Sequence, residues 1–187
     1  DLEIVFSGYS SDNKLFAINL DGSDVPGFPF DLGEKVKSGP ALADFNNNGK
    51  DDIVVGTDNS HVYLILDDGS VSSGFPFLTG DKIQAAPSVI NINGQNHILV
   101  GCNDNYLYSI NEDGNQNFAF ATGDKVQTSP SFVKINEEYF IFFGSKDNKI
   151  YGIDFDGGLL PGWPIQMNGD IIGSSVFSDL DENGEPD

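Results

Sequence analysis

One phrase occurs four times along the chain, and this repeat constrains the fold more than any other feature of the sequence. The second copy reads IVVGTDNSHVYLILDDG…GFPF, and the other three read VFSGYSSDNKLFAINLDG…GFPF, ILVGCNDNYLYSINEDG…NFAF and IFFGSKDNKIYGIDFDG…GWPI. A period of roughly 45 residues is typical of propellers and solenoids, in which each repeat forms one supersecondary unit. The repeats run through the chain without a linker, so we predict one domain spanning residues 1–187.

Each repeat predicts four strands. In the second copy the strand candidates are residues 40–45, 52–57, 61–67 and 74–78. Residues 53–55 are continuously apolar, as expected for a strand covered on both faces, whereas residues 61–66 alternate. The Asp-Gly pairs at 21–22, 68–69, 113–114 and 156–157 predict tight turns before each outer strand. The pattern therefore predicts an all-β fold, a β-propeller of four-stranded antiparallel blades, with repeats at about 1–43, 44–90, 91–133 and 134–187.

The outer strand of each blade is predicted to carry an aromatic-Pro phrase. This phrase lies at residues 27–30, 74–77 and 162–165, and the third copy has lost its proline. An edge strand tolerates proline because one side of it needs no ladder hydrogen bond. Small residues before Pro40, Pro87 and Pro130 suit an inner strand beside a crowded central channel.

The two ends of the chain read as parts of one blade. Residues 179–187 followed by residues 2–8 recreate the phrase found at residues 44–56. We therefore expect the C-terminal strand to complete the blade that the first residues begin, which would close a four-bladed ring. The alternative is that these repeats form part of a larger ring of seven or eight blades, made by more chain or by a second copy.

Two nine-residue segments have the spacing of a calcium loop. Residues 44–52 form D-x-N-x-N-G-x-x-D and residues 179–187 form D-x-D-x-N-G-x-x-D. Calcium takes six to eight oxygen ligands, and alternating side chains of a tight loop converge on one point. A glycine at the sixth place permits the sharp turn, and the loop runs directly into a strand, unlike an EF-hand. We predict two Ca²⁺ sites, one in each loop.

The predicted ligands follow from the positions in each loop. Side-chain oxygens are expected at the first, third, fifth and ninth places and a backbone carbonyl at the seventh place. In the first loop these are Asp44, Asn46, Asn48, Lys50 and Asp52, and in the second loop Asp179, Asp181, Asn183, Glu185 and Asp187. The corresponding segments of the other repeats, residues 91–96 and 134–139, are shorter and have too few carboxylates, so no ion is predicted there.

Charge and cysteine content exclude several classes of function. Nine lysines, no arginine and 29 acidic residues give a net charge of −20, which argues against nucleic acid or an anionic membrane as a partner. No apolar stretch approaches the 18 residues of a transmembrane helix, so membrane insertion is not expected. The single cysteine, Cys102, lies in an apolar run and is predicted to be a buried, inert thiol.

The combination of I-V-V-G, V-Y-x-I, D-G, G-[F/W]-P and the D-x-[D/N]-x-[D/N]-G-x-x-D loop resembles the FG-GAP or VCBS repeats of integrin α-subunits and of bacterial secreted proteins. This resemblance covers essentially the whole chain. It implies a β-propeller with calcium in the loop between the first and second strands of a blade. It also implies a role in adhesion, ligand binding or scaffolding at the cell surface or outside the cell.

The residues bear on three candidate functions. The leading hypothesis is a non-catalytic, calcium-stabilised extracellular module that binds a protein or glycan ligand, with homo-oligomers as a further option. A variant is a calcium-dependent lectin, in which Tyr63, Tyr108, Tyr151 or Trp163 stack on sugar. A quinoprotein-like dehydrogenase is disfavoured because His61 and His97 have no nucleophile or metal partner by spacing, and no candidate catalytic residue is found.

Overall fold

The computed structural model describes residues 2–8 and 12–178, and these residues form fifteen β-strands. Blade 1 contains β1 (Glu3–Ser7), β2 (Lys14–Asn19) and β3 (Phe30–Asp31). Blade 2 contains β4 (Ala41–Ala43), β5 (Asp52–Gly56), β6 (His61–Ile65) and β7 (Phe77–Leu78). Blade 3 contains β8 (Ser88–Ile92), β9 (Gln95–Gly101), β10 (Tyr106–Asn111) and β11 (Gln116–Ala121). Blade 4 contains β12 (Ser131–Ile135), β13 (Glu138–Ser145), β14 (Lys149–Asp154) and β15 (Ile165–Gln166).

Every blade is an antiparallel sheet whose strands pair in sequence order, as the repeats predict. Blades 2, 3 and 4 have four strands, and blade 1 has three strands among the described residues. No described helix is long and apolar enough to cross a membrane. The glycines of the four predicted Asp-Gly turns all have positive φ, between 77° and 85°, which explains why glycine recurs at this point of each blade.

The hydrophobic core is divided among the spaces between neighbouring blades. All five residues of β5 are buried, and its side chains alternate between two clusters. Ile53 and Val55 pack towards blade 1, whereas Val54 packs with Ile98 and Val100 of blade 3. A third cluster joins blades 3 and 4. The continuous apolar run of residues 53–55 therefore reflects a strand covered on both faces, as predicted.

The outer strands differ from the prediction at the aromatic-Pro phrase. The phrase was expected to lie within the strand, but only its last residue, Phe30, Phe77 or Ile165, belongs to a two-residue strand. Proline cannot donate to the ladder, and each Phe-Pro or Trp-Pro bond is cis. In the third copy, which has no proline, β11 is a six-residue strand. The loss of proline there lets the ladder run on.

Each blade is tied to the next by a connector, the segment that follows its outer strand (residues 32–40, 79–87, 122–130 and 167–175). The loop of the following blade donates a backbone N–H to the connector in three places: Asp58 to Lys35 (2.8 Å), Asn103 to Lys82 (3.0 Å) and Lys146 to Lys125 (2.9 Å). The prolines at 40, 87 and 130 end the first three connectors, so the small-residue segments lie before the inner strands and not within them.

A carboxylate adds a second bond between blades. Asp104 of blade 3 accepts hydrogen bonds from the Gly80 N–H of the preceding connector (2.7 Å) and from the Tyr108 hydroxyl (2.7 Å). Asp147 of blade 4 makes the same pair of bonds with Gly123 (2.8 Å) and Tyr151 (2.5 Å). We call this arrangement the aspartate staple. It recurs because the repeat places an Asp four residues before the tyrosine of the third strand.

The predicted closing strand is only partly within the described residues. Residues 171–178 form no strand, and β1 pairs with β2 alone in the described part of the chain. Residues 179–187, which complete the predicted closing segment, lie outside it. The four repeats are thus present as four blades, and the described residues show no strand pairing between the first blade and residues 171–178.

The aspartate staple predicts a specific cost for one hydroxyl group. Tyr108→Phe removes the hydroxyl that donates to Asp104, whereas Tyr106→Phe, in the same strand, changes a more exposed ring for which no side-chain hydrogen bond is found. We expect Tyr108→Phe to lower the free energy of unfolding by about 1 kcal/mol and Tyr106→Phe to leave it nearly unchanged. Urea denaturation of both variants measures this, and equal effects would contradict the staple.

The connector packing predicts that a methyl group at Gly101 is not tolerated. A Cβ there would lie 2.6 Å from the Val126 side chain and 2.8 Å from its carbonyl oxygen. Gly101→Ala should cost about 1–3 kcal/mol because this crowding forces the connector to shift. Gly39→Ala is the control, since nothing lies within 4 Å of its added Cβ. Thermal unfolding compares the two variants, and a stable Gly101→Ala protein would show that the connector packs differently.

Candidate metal centre

The first predicted calcium loop, residues 44–52, joins β4 to β5 at one end of blade 2. Two of its residues have positive φ, Asn47 at 57° and Gly49 at 84°. Gly49 occupies the sixth place of the loop, where the sequence predicts the sharp turn, and its left-handed conformation favours a residue without a Cβ. The loop is therefore a strand-to-strand connection, as predicted.

Three of the predicted ligand side chains face the same turn. The Asp44 carboxylate accepts hydrogen bonds from the N–H groups of Asn48 (3.1 Å) and Gly49 (2.8 Å). The Asn46 side-chain oxygen accepts a bond from the Asn48 N–H (3.1 Å), and the Asn48 oxygen accepts one from the Lys50 N–H (2.8 Å). The side-chain oxygens of the first, third and fifth places thus all accept hydrogen bonds from backbone N–H groups of residues 48–50.

Asp52, at the ninth place, is the buried carboxylate of the loop, with no exposed surface. Its two oxygens accept hydrogen bonds from the Phe45 N–H and the Asp67 N–H, each at 2.9 Å. Burial raises the pKa of Asp52 above its ordinary value; the two backbone bonds oppose this shift, and the charges of Asp67 and Asp44 add to it. The site therefore holds like charges close together, and a cation would relieve their repulsion.

Asp67 belongs to this cluster, although sequence spacing did not single it out. Its carboxylate accepts bonds from the Asn48 side-chain amide (2.8 Å) and from the Lys50 ammonium (2.7 Å). The bond from Lys50, followed by that from Asn48, lowers the pKa of Asp67. The signal that could have found it is strand register. In the antiparallel pair β5–β6, Ile53 lies opposite Ile65. Asp52, which precedes Ile53, therefore lies near Asp67, which follows β6.

Asn96 of blade 3 holds the loop from the neighbouring blade. This buried side chain donates to the Asp44 carbonyl (2.7 Å) and accepts a bond from the Asn91 side chain (2.8 Å). Nothing in the local sequence pattern indicates this contact, because it joins residues that are 52 positions apart. The first loop is consequently fixed both by its own blade and by the next one.

The corresponding loops of blades 3 and 4 are short, and the second predicted calcium loop lies outside the described residues. Residues 93–94 and 136–137 form two-residue turns with positive φ between β8 and β9 and between β12 and β13, too short to surround an ion. The second predicted site, Asp179, Asp181, Asn183, Glu185 and Asp187, lies outside the described residues. Within the described ranges, no group of three or more His, Cys, Asp or Glu side chains is arranged to hold a metal. In the first loop, two of the four predicted side-chain ligands are asparagines, which are not among these four residue types.

The donor set of the first loop fits calcium by its chemistry. Asp44, Asn46, Asn48 and Asp52 offer side-chain oxygens only, and Lys50 offers a backbone carbonyl, which is the seventh-place ligand predicted from the spacing. Softer nitrogen or sulfur ligands, which transition metals prefer, are missing from this set.

The aromatic residues considered for sugar stacking are used in packing and in bonds between blades. Tyr108 and Tyr151 donate to the aspartate staples, and burial raises the pKa of both hydroxyl groups, with the staple carboxylates adding to the shift. Trp163 packs edge-on against Phe142, with ring centroids 5.1 Å apart. Phe28, in the aromatic-Pro phrase of blade 1, is also buried, between blades 1 and 2.

A second polar cluster replaces the staple between blades 1 and 2. The Glu34 carboxylate accepts bonds from the Thr57 hydroxyl (2.6 Å) and, more weakly, from the Tyr63 hydroxyl (3.3 Å), and it pairs with His61 Nδ1 (2.7 Å). Sequence spacing gave His61 no partner because Glu34 comes from the preceding connector. All three groups converge on one carboxylate, so the cluster links two blades.

Cys102 is buried as predicted, and burial raises the pKa of its thiol to about 11.

Comparison with known proteins identifies the fold. No family model matches the chain, and no curated protein matches it. Among solved structures, the computationally designed Ika8 protein superposes with a TM-score of 0.68 at 16% identity, covering 96% of this chain and 51% of that one. BBS1N, in a structure of its complex with ARL6DN, gives 0.63 at 13% identity, covering 90% and 50%. BamB from Moraxella catarrhalis gives 0.63 at 14%, covering 83% and 43%.

These similarities confirm the predicted all-β propeller. BamB and BBS1N are β-propellers, and the antiparallel blades described above match theirs. At these identities the likeness concerns the fold alone. The chain spans about half the length of the solved structures it matches.

The contact from blade 3 predicts that Asn96 supports the loop. Asn96→Ala would leave the Asp44 carbonyl and the Asn91 side chain without this partner, and we expect a loss of about 1–3 kcal/mol of stability because such groups are partly buried. Gln95→Ala changes an exposed side chain in the same strand and should be nearly neutral. Guanidinium denaturation measures both, and a neutral Asn96→Ala variant would contradict the contact.

Proposed function

We propose that this chain is a non-catalytic, calcium-binding β-propeller module that works outside the cell in adhesion, ligand binding or scaffolding. The observation that carries the proposal is the 44–52 loop, where oxygens of Asp44, Asn46 and Asn48 face one turn beside the buried carboxylate of Asp52. Calcium at this loop would be structural. It would offset the repulsion among carboxylates that the fold holds together.

The position of the loop explains what the ion would stabilise. Asp52 begins β5, the strand that is packed between two blades, and Asn96 connects the loop to blade 3. An ion bound to the folded loop alone would favour the folded state by about 4 kcal/mol at a thousandfold excess over its dissociation constant. Millimolar calcium occurs outside cells, and the net charge of −20 suits a soluble extracellular protein, which supports this location.

The packing described above favours a scaffold or protein-binding module over the lectin alternative. The tyrosines that could stack on sugar donate to Asp104, Asp147 and Glu34 instead. Their repetition in successive blades is the pattern of a shared packing role.

The calcium site is tested by the stability increment that calcium provides. Thermal unfolding is measured in millimolar CaCl₂ and in EDTA for the natural chain, for Asp44→Ala and for Asp51→Ala. Asp51 is exposed and occupies the eighth place, which contributes no ligand in the pattern. We expect Asp44→Ala to reduce the calcium increment by several degrees, because only the ion-bound state loses a ligand, and Asp51→Ala to retain it.

The comparison uses the increment and not the melting temperature itself, since Asp44 also accepts hydrogen bonds within the loop. If Asp44→Ala melts at a lower temperature than the natural chain in EDTA, that difference reflects the loss of those hydrogen bonds and not of calcium. An equal calcium increment in Asp44→Ala and in the natural chain would contradict calcium binding at this loop.

A further inference from the structure

The outward face of blade 1 is apolar and uncovered, although the same positions are buried in blade 2. Strand register equates Ile4 with Ile53 and Phe6 with Val55. Ile53 and Val55 are 2% and 0% exposed because blade 1 covers them, whereas Ile4 and Phe6 are 48% and 42% exposed. The first blade is therefore built to be packed against a preceding blade.

Blade 1 also has a free place for an inner strand. Its sheet has three strands in the described part of the chain, with β1 at the edge. A cavity of about 550 Å³ lies between blades 1 and 2, lined by Val5 and Phe28 of blade 1, by Leu42 of blade 2 and by residues 49–51 of the first loop. Leu42 is 45% exposed, while its counterpart in blade 3, Val89, packs into the core. An inner strand paired with the free edge of β1 would cover Leu42 in the same way.

Residues 176–178 have the position of such an inner strand. The N–H groups of Ile83, Val126 and Ile171 donate to equivalent carbonyls of blades 2, 3 and 4, so these three residues hold the same position in their connectors. An inner strand begins five residues after Ile83 and Val126, at β8 and β12. Residues 176–178 lie at the same distance after Ile171 and therefore correspond to an inner strand such as β4. Val176 is 85% exposed, and Phe177 packs edge-on against Phe142 of β13, with ring centroids 5.3 Å apart. Among the described residues there is thus an inner-strand segment after blade 4 without a strand partner and a free strand edge at blade 1.

The register between these two segments follows from the other blades. β4 pairs with β5 through Ala41 and Val54, and β12 pairs with β13 through Ser131 and Phe142. The corresponding residues are Val176 in the segment and Val5 in β1. Phe177 would then lie opposite Ile4 and Ser178 opposite Glu3, so that apolar residues face apolar ones and the polar Ser178 faces Glu3.

The staple positions at the two ends are complementary as well. Asp12 lies four residues before Phe16, as Asp104 and Asp147 lie four residues before their tyrosines. The Met167 N–H donates to the Asn148 carbonyl just as the Thr122 N–H donates to the Asn105 carbonyl, so Met167 corresponds to Thr122. The next residue, Asn168, then corresponds to Gly123, whose N–H donates to an aspartate staple. One end offers a carboxylate acceptor and the other offers the matching N–H donor.

We propose that two copies of this chain join head to tail, with residues 176–178 of each copy adding an inner strand to β1 of the other. The product is a closed ring of eight blades with twofold symmetry, in which both uncovered faces are buried. The described residues show no pairing of this segment with β1 of the same chain. The chain superposes with 96% coverage on 51% of a single larger chain, so two copies of it together match the length of that chain.

The first test is the mass of the full chain in solution. Sedimentation equilibrium in 150 mM NaCl should give twice the mass of the chain at micromolar concentration. Low ionic strength should weaken the dimer, because each copy carries a charge of −20. A monomer at all concentrations, or open polymers that grow with concentration, would overturn the proposal.

A pair of variants tests which surface forms the dimer. Val176→Asp places a charge in the proposed strand pair, whereas Leu78→Asp places one on the outer strand of blade 2, at a residue that is 66% exposed. Val176→Asp should raise the dimer dissociation constant more than about tenfold, because the charge would be buried without a partner. Leu78→Asp should leave it unchanged. Equal dissociation constants for the two variants would place the interface elsewhere.

Cysteine cross-linking separates pairing between copies from closure within one chain. The natural Cys102 is buried, so added cysteines are the reactive thiols. Mild oxidation of an equimolar mixture of Val5→Cys and Val176→Cys should give a disulfide-linked species of twice the chain mass. Each variant alone should give much less of it. If the doubly substituted chain instead forms an internal disulfide at monomer mass and the mixture stays unlinked, the ring closes within one chain and the proposal is wrong.

Discussion

The packing of each blade against its neighbour is the constraint on which the rest of this structure depends. A single blade leaves both faces of its second strand exposed, and the buried residues fall into three clusters between blades. Apolar area buried between the sheets provides the main favourable term, and the connectors and aspartate staples fix the sheets in register. Val54 and Val55 show this directly, since adjacent residues of one strand pack into different clusters.

This frame also positions the candidate calcium loop. Asp52 is buried because it begins the strand between two blades, Asp67 lies beside it because β6 pairs with β5, and Asn96 reaches the loop from blade 3. The like charges of the loop are therefore held together by packing elsewhere in the domain. In a chain with a net charge of −20, a divalent cation at this point would reduce both the local and the overall repulsion.

The repeats were enough to predict the blades, the covered second strand and the turn glycines, because these features recur at fixed spacing. The turn at Gly49 could also be predicted, since it depends on spacing within nine residues, whereas the ligand role of the loop oxygens stays a prediction. Asp67, Asn96 and the Glu34–His61 pair could not, because each depends on strand register or on contacts between blades. The short outer strands were mispredicted because a single proline decides how far the ladder runs, as the proline-free β11 shows.

A crystal structure of the chain grown in calcium is the most direct test of the central claim that the blade frame builds a calcium site at residues 44–52. The account predicts an ion bound by Asp44, Asn46, Asn48 and Asp52 and by the Lys50 carbonyl, with oxygen distances of about 2.3–2.6 Å. The blades should remain as described, with Asn96 on the Asp44 carbonyl. A loop that keeps its internal N–H bonds and contains no ion in millimolar calcium would contradict the account.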